Sequence, residues 1–101
     1  GATVVRDCPA FVCQRVLATI CNIGCQIAQL GTAEPDDIDK AVVLGLNYPS
    51  GPLTFGETLG TKNVLRILEG LYASYGDPRY RPSPWLRRRA LLGLSLFETE
   101  I

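Results

Sequence analysis

Asp7-Cys8-Pro9-Ala10-Phe11-Val12-Cys13-Gln14-Arg15-Val16-Leu17-Ala18-Thr19-Ile20-Cys21-Asn22-Ile23-Gly24-Cys25-Gln26-Ile27-Ala28-Gln29-Leu30-Gly31 is the longest uninterrupted element of this 101-residue chain. A capping-type Asp, a Pro inside the first turn and a Gly past the last apolar residue bracket a helix of about five or six turns. At 100° per residue, Val12, Val16, Leu17, Ile20, Ile23, Ile27 and Leu30 spread with Cys13 and Cys21 over an arc of about 200°. Arg15, Asn22, Gln26 and Gln29 fill a narrow polar stripe. An arc that wide needs cover on two sides, so the helix is either central to its domain or shared between the core and a subunit interface. The expected interface residues are Val16, Ile20, Ile23 and Ile27.

Outward from this helix, Glu34-Pro35-Asp36-Asp37-Ile38-Asp39 reads as a helix start, with Pro at N1 and carboxylates where the dipole favours them. That second helix runs to about Leu44. Gly45-Leu46-Asn47-Tyr48-Pro49-Ser50-Gly51-Pro52 holds two Gly and two Pro in eight residues and is a shaped loop. A short helical turn from Leu53 to Leu59 ends at Gly60. Thr61 then caps a helix carrying Val64, Leu65, Leu68, Leu71 and Tyr72 up to Gly76. Asp77 to Pro82 is a second rigid connector, Ser83-Pro84 starts a last helix over Trp85 to Leu92, and residues 93–101 form a weakly determined tail. No stretch alternates apolar and polar residues. The predicted fold is all-α, a compact bundle of four or five helices around one long first helix.

Composition is 47% apolar and 20% charged, with ten basic and ten acidic residues, so one ordinary globular domain over 1–101 is expected. Balanced charge and the lack of a bilayer-length apolar run argue against nucleic-acid and membrane partners. The chain has no Met and opens at Gly1 without a signal-peptide pattern, which reads as a fragment of a longer protein. It also has no His, the commonest neutral-pH acid/base. The four cysteines cannot converge on one ion, because Cys13 and Cys21 lie about 12 Å apart along a helix axis. Cys13, Cys21 and Cys25 are therefore expected to be small buried hydrophobes, in keeping with a cytoplasmic setting. Arg79, Arg81, Arg87, Arg88 and Arg89 concentrate half of the basic residues, and read as solvated faces with salt bridges to the acidic 34–39 stretch. There is no Gly-x-Gly phosphate loop, nucleophile elbow or carboxylate dyad, so the residues alone describe a binding or assembly domain.

Four blocks in order carry a family resemblance: Phe11 to Leu17, Ala33 to Asp39, Gly45 to Pro52, and Tyr75-Gly76-Asp77-Pro78-Arg79-Tyr80-Arg81-Pro82. Together they resemble the C-terminal helical domain of NAD-dependent 3-hydroxyacyl-CoA dehydrogenases, over roughly residues 8–92. The Pro-x-Gly-Pro loop and the Gly-Asp-Pro-Arg-Tyr-Arg-Pro connector are its most specific parts. The resemblance implies a fold like the 6-phosphogluconate dehydrogenase C-terminal domain. It also implies a Rossmann domain, absent from this chain, that binds NAD and carries the catalytic His and Glu, so this piece alone binds no cofactor and is inactive. The helical domain would close the acyl-CoA cleft and build a homodimer or pseudo-dimer.

The family's Phe-x-x-Asn-Arg motif supplies a substrate-contacting Asn; here that position is Gln14, followed by the expected Arg15. Gln keeps the amide but moves it outward by one methylene, and a shift of about 1 Å at a reacting centre costs about 10²-fold. The resemblance thus implies substrate contacts from Gln14, Arg15, Tyr48, Pro49, Gly51 and Pro52. Single-domain members continue after the last helix with a basic, Gly-rich segment, where this chain reads Gly93-Leu94-Ser95-Leu96-Phe97-Glu98. That difference resembles the second of two duplicated helical domains in longer members, among them the type acting on 3-hydroxyadipyl-CoA in phenylacetate breakdown. Two other readings are a free-standing helical adaptor and the helical domain of a 6-phosphogluconate or hydroxyisobutyrate enzyme. The latter's usual Lys on the long helix is missing.

Overall fold

The computed structural model describes residues 10–100, with side chains from Val12 onward. Five α-helices and one short 3₁₀ turn account for all regular structure among them, and no strand occurs. These are α1 (Ala10–Leu30), α2 (Pro35–Leu46), α3 (Pro52–Leu59), α4 (Thr61–Tyr75), the 3₁₀ turn (Pro78–Tyr80) and α5 (Pro84–Leu92). The all-α expectation is met, around one long first helix. Its proposed start at Asp7 to Pro9 lies outside the described residues.

Local chemistry sets the boundaries. Pro35, Pro52 and Pro84 each open a helix, where the missing N–H costs nothing. Gly31, Gly60, Gly76 and Gly93 all have positive φ at helix ends, a region that L side chains enter only with strain. Gly60, not Thr61, precedes α4, and Thr61 is its first helical residue with no side-chain cap in place.

The core face of α1 presents Leu17, Ala18, Cys21, Cys25 and Ala28. Small residues there let α3 approach closely. Pro52 rests on Gly24, and a Cβ on Gly56 would collide with Cys21 Sγ. Leu53, Leu68, Leu86 and Leu96 close the core from the other elements, each fully buried and each stabilising by roughly 1.5–3 kcal/mol. Cys21 and Cys25 are free thiols. The Cys25 thiol is pushed far above its usual range by its hydrogen bond with Cys21 and by burial, so it stays neutral. Cys13 is buried as expected but is disulfide-bonded. The expectation of inert, unpaired cysteines therefore holds for Cys21 and Cys25 and is corrected for Cys13.

Several side chains expected at the surface are structural pins. Asn22 is fully buried: its Nδ2 donates to the Arg81 carbonyl and its Oδ1 accepts from the Ser83 N–H, both at 2.9 Å. Asp39, expected to serve its own helix start, is buried and accepts from the Leu53 and Thr54 N–H groups and the Thr54 hydroxyl, capping α3 instead. Gly51 is required beside it, since a Cβ there would overlap Asp39.

The tail is also fixed. Trp85 Nε1 donates to the Leu96 carbonyl at 2.9 Å, Glu57 accepts from Ser95 Oγ and the Leu96 N–H, and Leu96 fills the core. Arg89 is not solvated: it is 4% exposed, lies 3.3 Å over the Trp85 ring and donates twice to the Glu98 carbonyl. Burial lowers its affinity for a proton, though an arginine stays charged regardless. The salt bridges expected to the 34–39 stretch do not form. Arg87 pairs with Glu69 and Arg79 with Asp77, because α5 packs on α4 while α2 lies elsewhere.

Candidate functional site

Gln14 and Arg15 lie near the start of α1, where α4 runs alongside. Residues 66, 67, 70, 71, 74 and 75 recur at helical spacing on α4, so they share the face turned to this end of α1. The groove between the helices has a volume of about 310 Å³. Gln14, Arg15, Arg66, Ser74 and Tyr75 supply its polar groups, and Ile67, Gly70 and Leu71 its apolar floor. Gly70 keeps the floor open, because nothing lies within 4 Å of where its Cβ would stand.

Arg15 is held in place. Its Nη2 donates to the Tyr75 hydroxyl at 3.4 Å and its guanidinium sits 5.7 Å from the Tyr75 ring centre. The Tyr75 ring is 6.0 Å from that of Tyr80, which carries Arg79 at 5.9 Å on its face. Arg79 forks onto Asp77, holding that carboxyl below its ordinary range. Asp77 in turn accepts from the Arg79 N–H and so fixes the 3₁₀ turn. Arg15 and Leu71 also border a second groove of about 450 Å³, walled by Val12, Val16, Ile20 and Tyr80.

The other residues expected to contact substrate lie apart from this groove. Pro49 and Gly51 border a separate hollow against α2, with Asp39, Lys40 and Leu44. Pro52 is buried against Gly24, ten residues up α1 from Gln14, which is about 15 Å of helix rise. Tyr48 is partly exposed and lines neither hollow. Gln14 and Arg15 therefore share a groove that the Tyr48 to Pro52 loop does not border. Of the expected interface residues, Val16 and Ile23 are 49% and 52% exposed, and Ile20 and Ile27 are half-buried. Arg66, Ser74 and Tyr75 were not anticipated, although their shared helical face on α4 was a usable signal. Among the described residues no three His, Cys, Asp or Glu side chains gather to hold a metal, and no helix is long and apolar enough to cross a membrane.

The family model for the C-terminal domain of 3-hydroxyacyl-CoA dehydrogenase matches residues 11–95. The chain belongs to that family. This dehydrogenase domain is 47% identical over 94 residues to a 3-hydroxyadipyl-CoA dehydrogenase of Escherichia coli, covering 91% of the chain and 20% of the relative. It is 43% identical to a probable 3-hydroxybutyryl-CoA dehydrogenase of Deinococcus radiodurans, covering 88% of the chain and 32% of the relative. A crystal structure of 3-hydroxybutyryl-CoA dehydrogenase from Escherichia coli superposes with a TM-score of 0.74 at 50% identity, over 77% of the domain and 16% of that chain. The domain thus spans between a fifth and a third of the length of these curated relatives.

Proposed function

We propose that this chain is the substrate-cleft and dimerisation domain of an NAD-dependent 3-hydroxyacyl-CoA dehydrogenase, which oxidises 3-hydroxyacyl-CoA to 3-oxoacyl-CoA in fatty-acid or phenylacetate-type catabolism. The observation that carries the reading is the family match over residues 11–95, with Gln14 and Arg15 opening onto a groove at the motif's position. The Gln14 amide can donate to a thioester carbonyl oxygen and accept from a 3-hydroxyl group. Arg15, steadied by Tyr75, borders the same space and adds positive charge beside it.

The residues present do not fit NAD. A dinucleotide needs a Gly-rich turn between strand and helix; the sequence has no Gly-x-Gly, and the described residues hold no strand. In this reading NAD belongs to a Rossmann domain outside this chain, the protein is cytoplasmic, and the isolated domain is inactive. The Gln at the Asn position and the altered tail favour its being the second of two helical copies.

Assembly is supported by the other side of α1. Val12, Val16 and Ile23 are exposed along one apolar stripe with the half-buried Ile20, the composition of a face covered by a second helical domain. Isothermal titration of the chain with acetoacetyl-CoA tests the cleft, and sedimentation equilibrium at tens of micromolar tests assembly. Saturable binding weakened by Gln14→Ala, from a dimeric mass, is expected. A dimer that binds nothing would leave only the assembly role, and a monomeric mass would remove that.

A further inference from the structure

Among the described residues, most glycines have a reason that the fold itself supplies. Gly31, Gly60, Gly76 and Gly93 hold positive φ, and at Gly24, Gly51 and Gly56 a Cβ would collide in turn with Pro52, Asp39 and Cys21. Gly70 has neither reason. It is the tenth of the fifteen residues of α4, is exposed, has no positive φ, and nothing stands within 4 Å of where its Cβ would be. Gly45 shares that freedom but stands one residue from the end of α2, where a helix frays. Glycine is the poorest helix former after proline, so alanine at position 70 would make α4 more stable. A glycine in mid-helix that the fold does not use leaves room for something the chain does not itself supply.

That room opens into the groove that Gln14 borders. Arg15 meets Tyr75, so the motif residues stand at the Tyr75 end of the groove. Gly70 lies five residues back along α4, about 7.5 Å of helix rise, with Ile67 and Leu71 beside it as apolar walls. We propose that Gly70 is a specificity-determining residue, whose missing side chain is the space in which the distal part of a long acyl chain lies along α4. The inference rests on the acyl-CoA reading above and adds to it a limit on chain length. A four-carbon acyl group spans about 4.5 Å in its three C–C bonds, so one held at Gln14 stops short of Gly70 and only longer chains meet it.

Acetoacetyl-CoA and 3-oxodecanoyl-CoA share the coenzyme and the 3-oxo thioester and differ only in their distal methylenes. Each is titrated calorimetrically into the 101-residue chain and into Gly70→Ala and Gly70→Leu. Gly70→Leu should weaken 3-oxodecanoyl-CoA by about tenfold or more and leave acetoacetyl-CoA unchanged. Gly70→Ala should act in the same direction more mildly while raising Tm by about 2–8 °C. A variant that is more stable and binds the long chain less well separates a ligand-facing glycine from a structural one. A lower Tm in Gly70→Ala would show that the fold needs glycine there and would overturn the proposal. Equal losses for the two ligands would place the contact on the coenzyme arm that they share, and would overturn it as well. Unchanged affinities for both would overturn it and leave the acyl-CoA reading standing, and a Gly70→Leu mass that falls to the monomer would then give the space to a second copy. Binding of neither ligand by the unaltered chain would remove both.

Discussion

On one side of α1, Leu17, Ala18, Cys21 and Cys25 are packed beneath α3, α4 and α5; on the other, Val12, Val16 and Ile23 stand about half exposed. Both sides are apolar, so hydrophobicity does not separate them. Size does. Apart from Leu17 the packed side is lined by Ala, Cys and Gly, which let a neighbouring helix approach closely, while the open side carries β-branched residues that keep neighbours at a distance. The difference teaches that a helix apolar over most of its circumference can divide its faces by volume, one packed within its own domain and one left open, which the proposed assembly would cover.

The comparison can be broken from either side. Leu17→Ala removes a buried side chain from the packed face and should cost about 2–5 kcal/mol in urea unfolding. A cost under about 1 kcal/mol would mean that this face collapses freely and is not close-packed. Gly56→Ala drives a methyl into Cys21 and should cost about 1–3 kcal/mol. Pairing it with a smaller residue at Cys21 should recover part of that loss if the clash is its cause. On the open face, Ile23→Asp should change monomer stability by no more than about 0.5 kcal/mol while abolishing self-association in sedimentation equilibrium. If Ile23→Asp instead unfolds the chain, Ile23 belongs to the core and the two faces are not distinct.

How much of this was legible in the sequence follows from the range of each interaction. Prolines 35, 52 and 84 and glycines 31, 60, 76 and 93 act within one turn of themselves, so the helices and their ends could be read locally. Asn22, Asp39 and Arg89 look like ordinary surface residues, because what they bond to is set by tertiary packing. Asn22 meets Arg81 and Ser83 some sixty positions on. Asp39 caps a helix fourteen residues later. The tail seemed undetermined because its order depends on Trp85, Arg89 and Glu57 holding it from two other helices. At the candidate site, Gln14 and Arg15 were found through a motif. Arg66, Ser74 and Tyr75 acquire meaning only once α4 is seen to lie along the start of α1.

Trp85 is the chain's single tryptophan, and its indole N–H is bonded to the Leu96 carbonyl beneath the Arg89 guanidinium. Its fluorescence therefore belongs to one junction, where the last helix meets the segment that folds back over the core. Release of that segment would bare the indole to water and shift its emission to the red, whereas slippage elsewhere would leave the colour unchanged. The molecule carries its own optical gauge of whether its final strap is fastened.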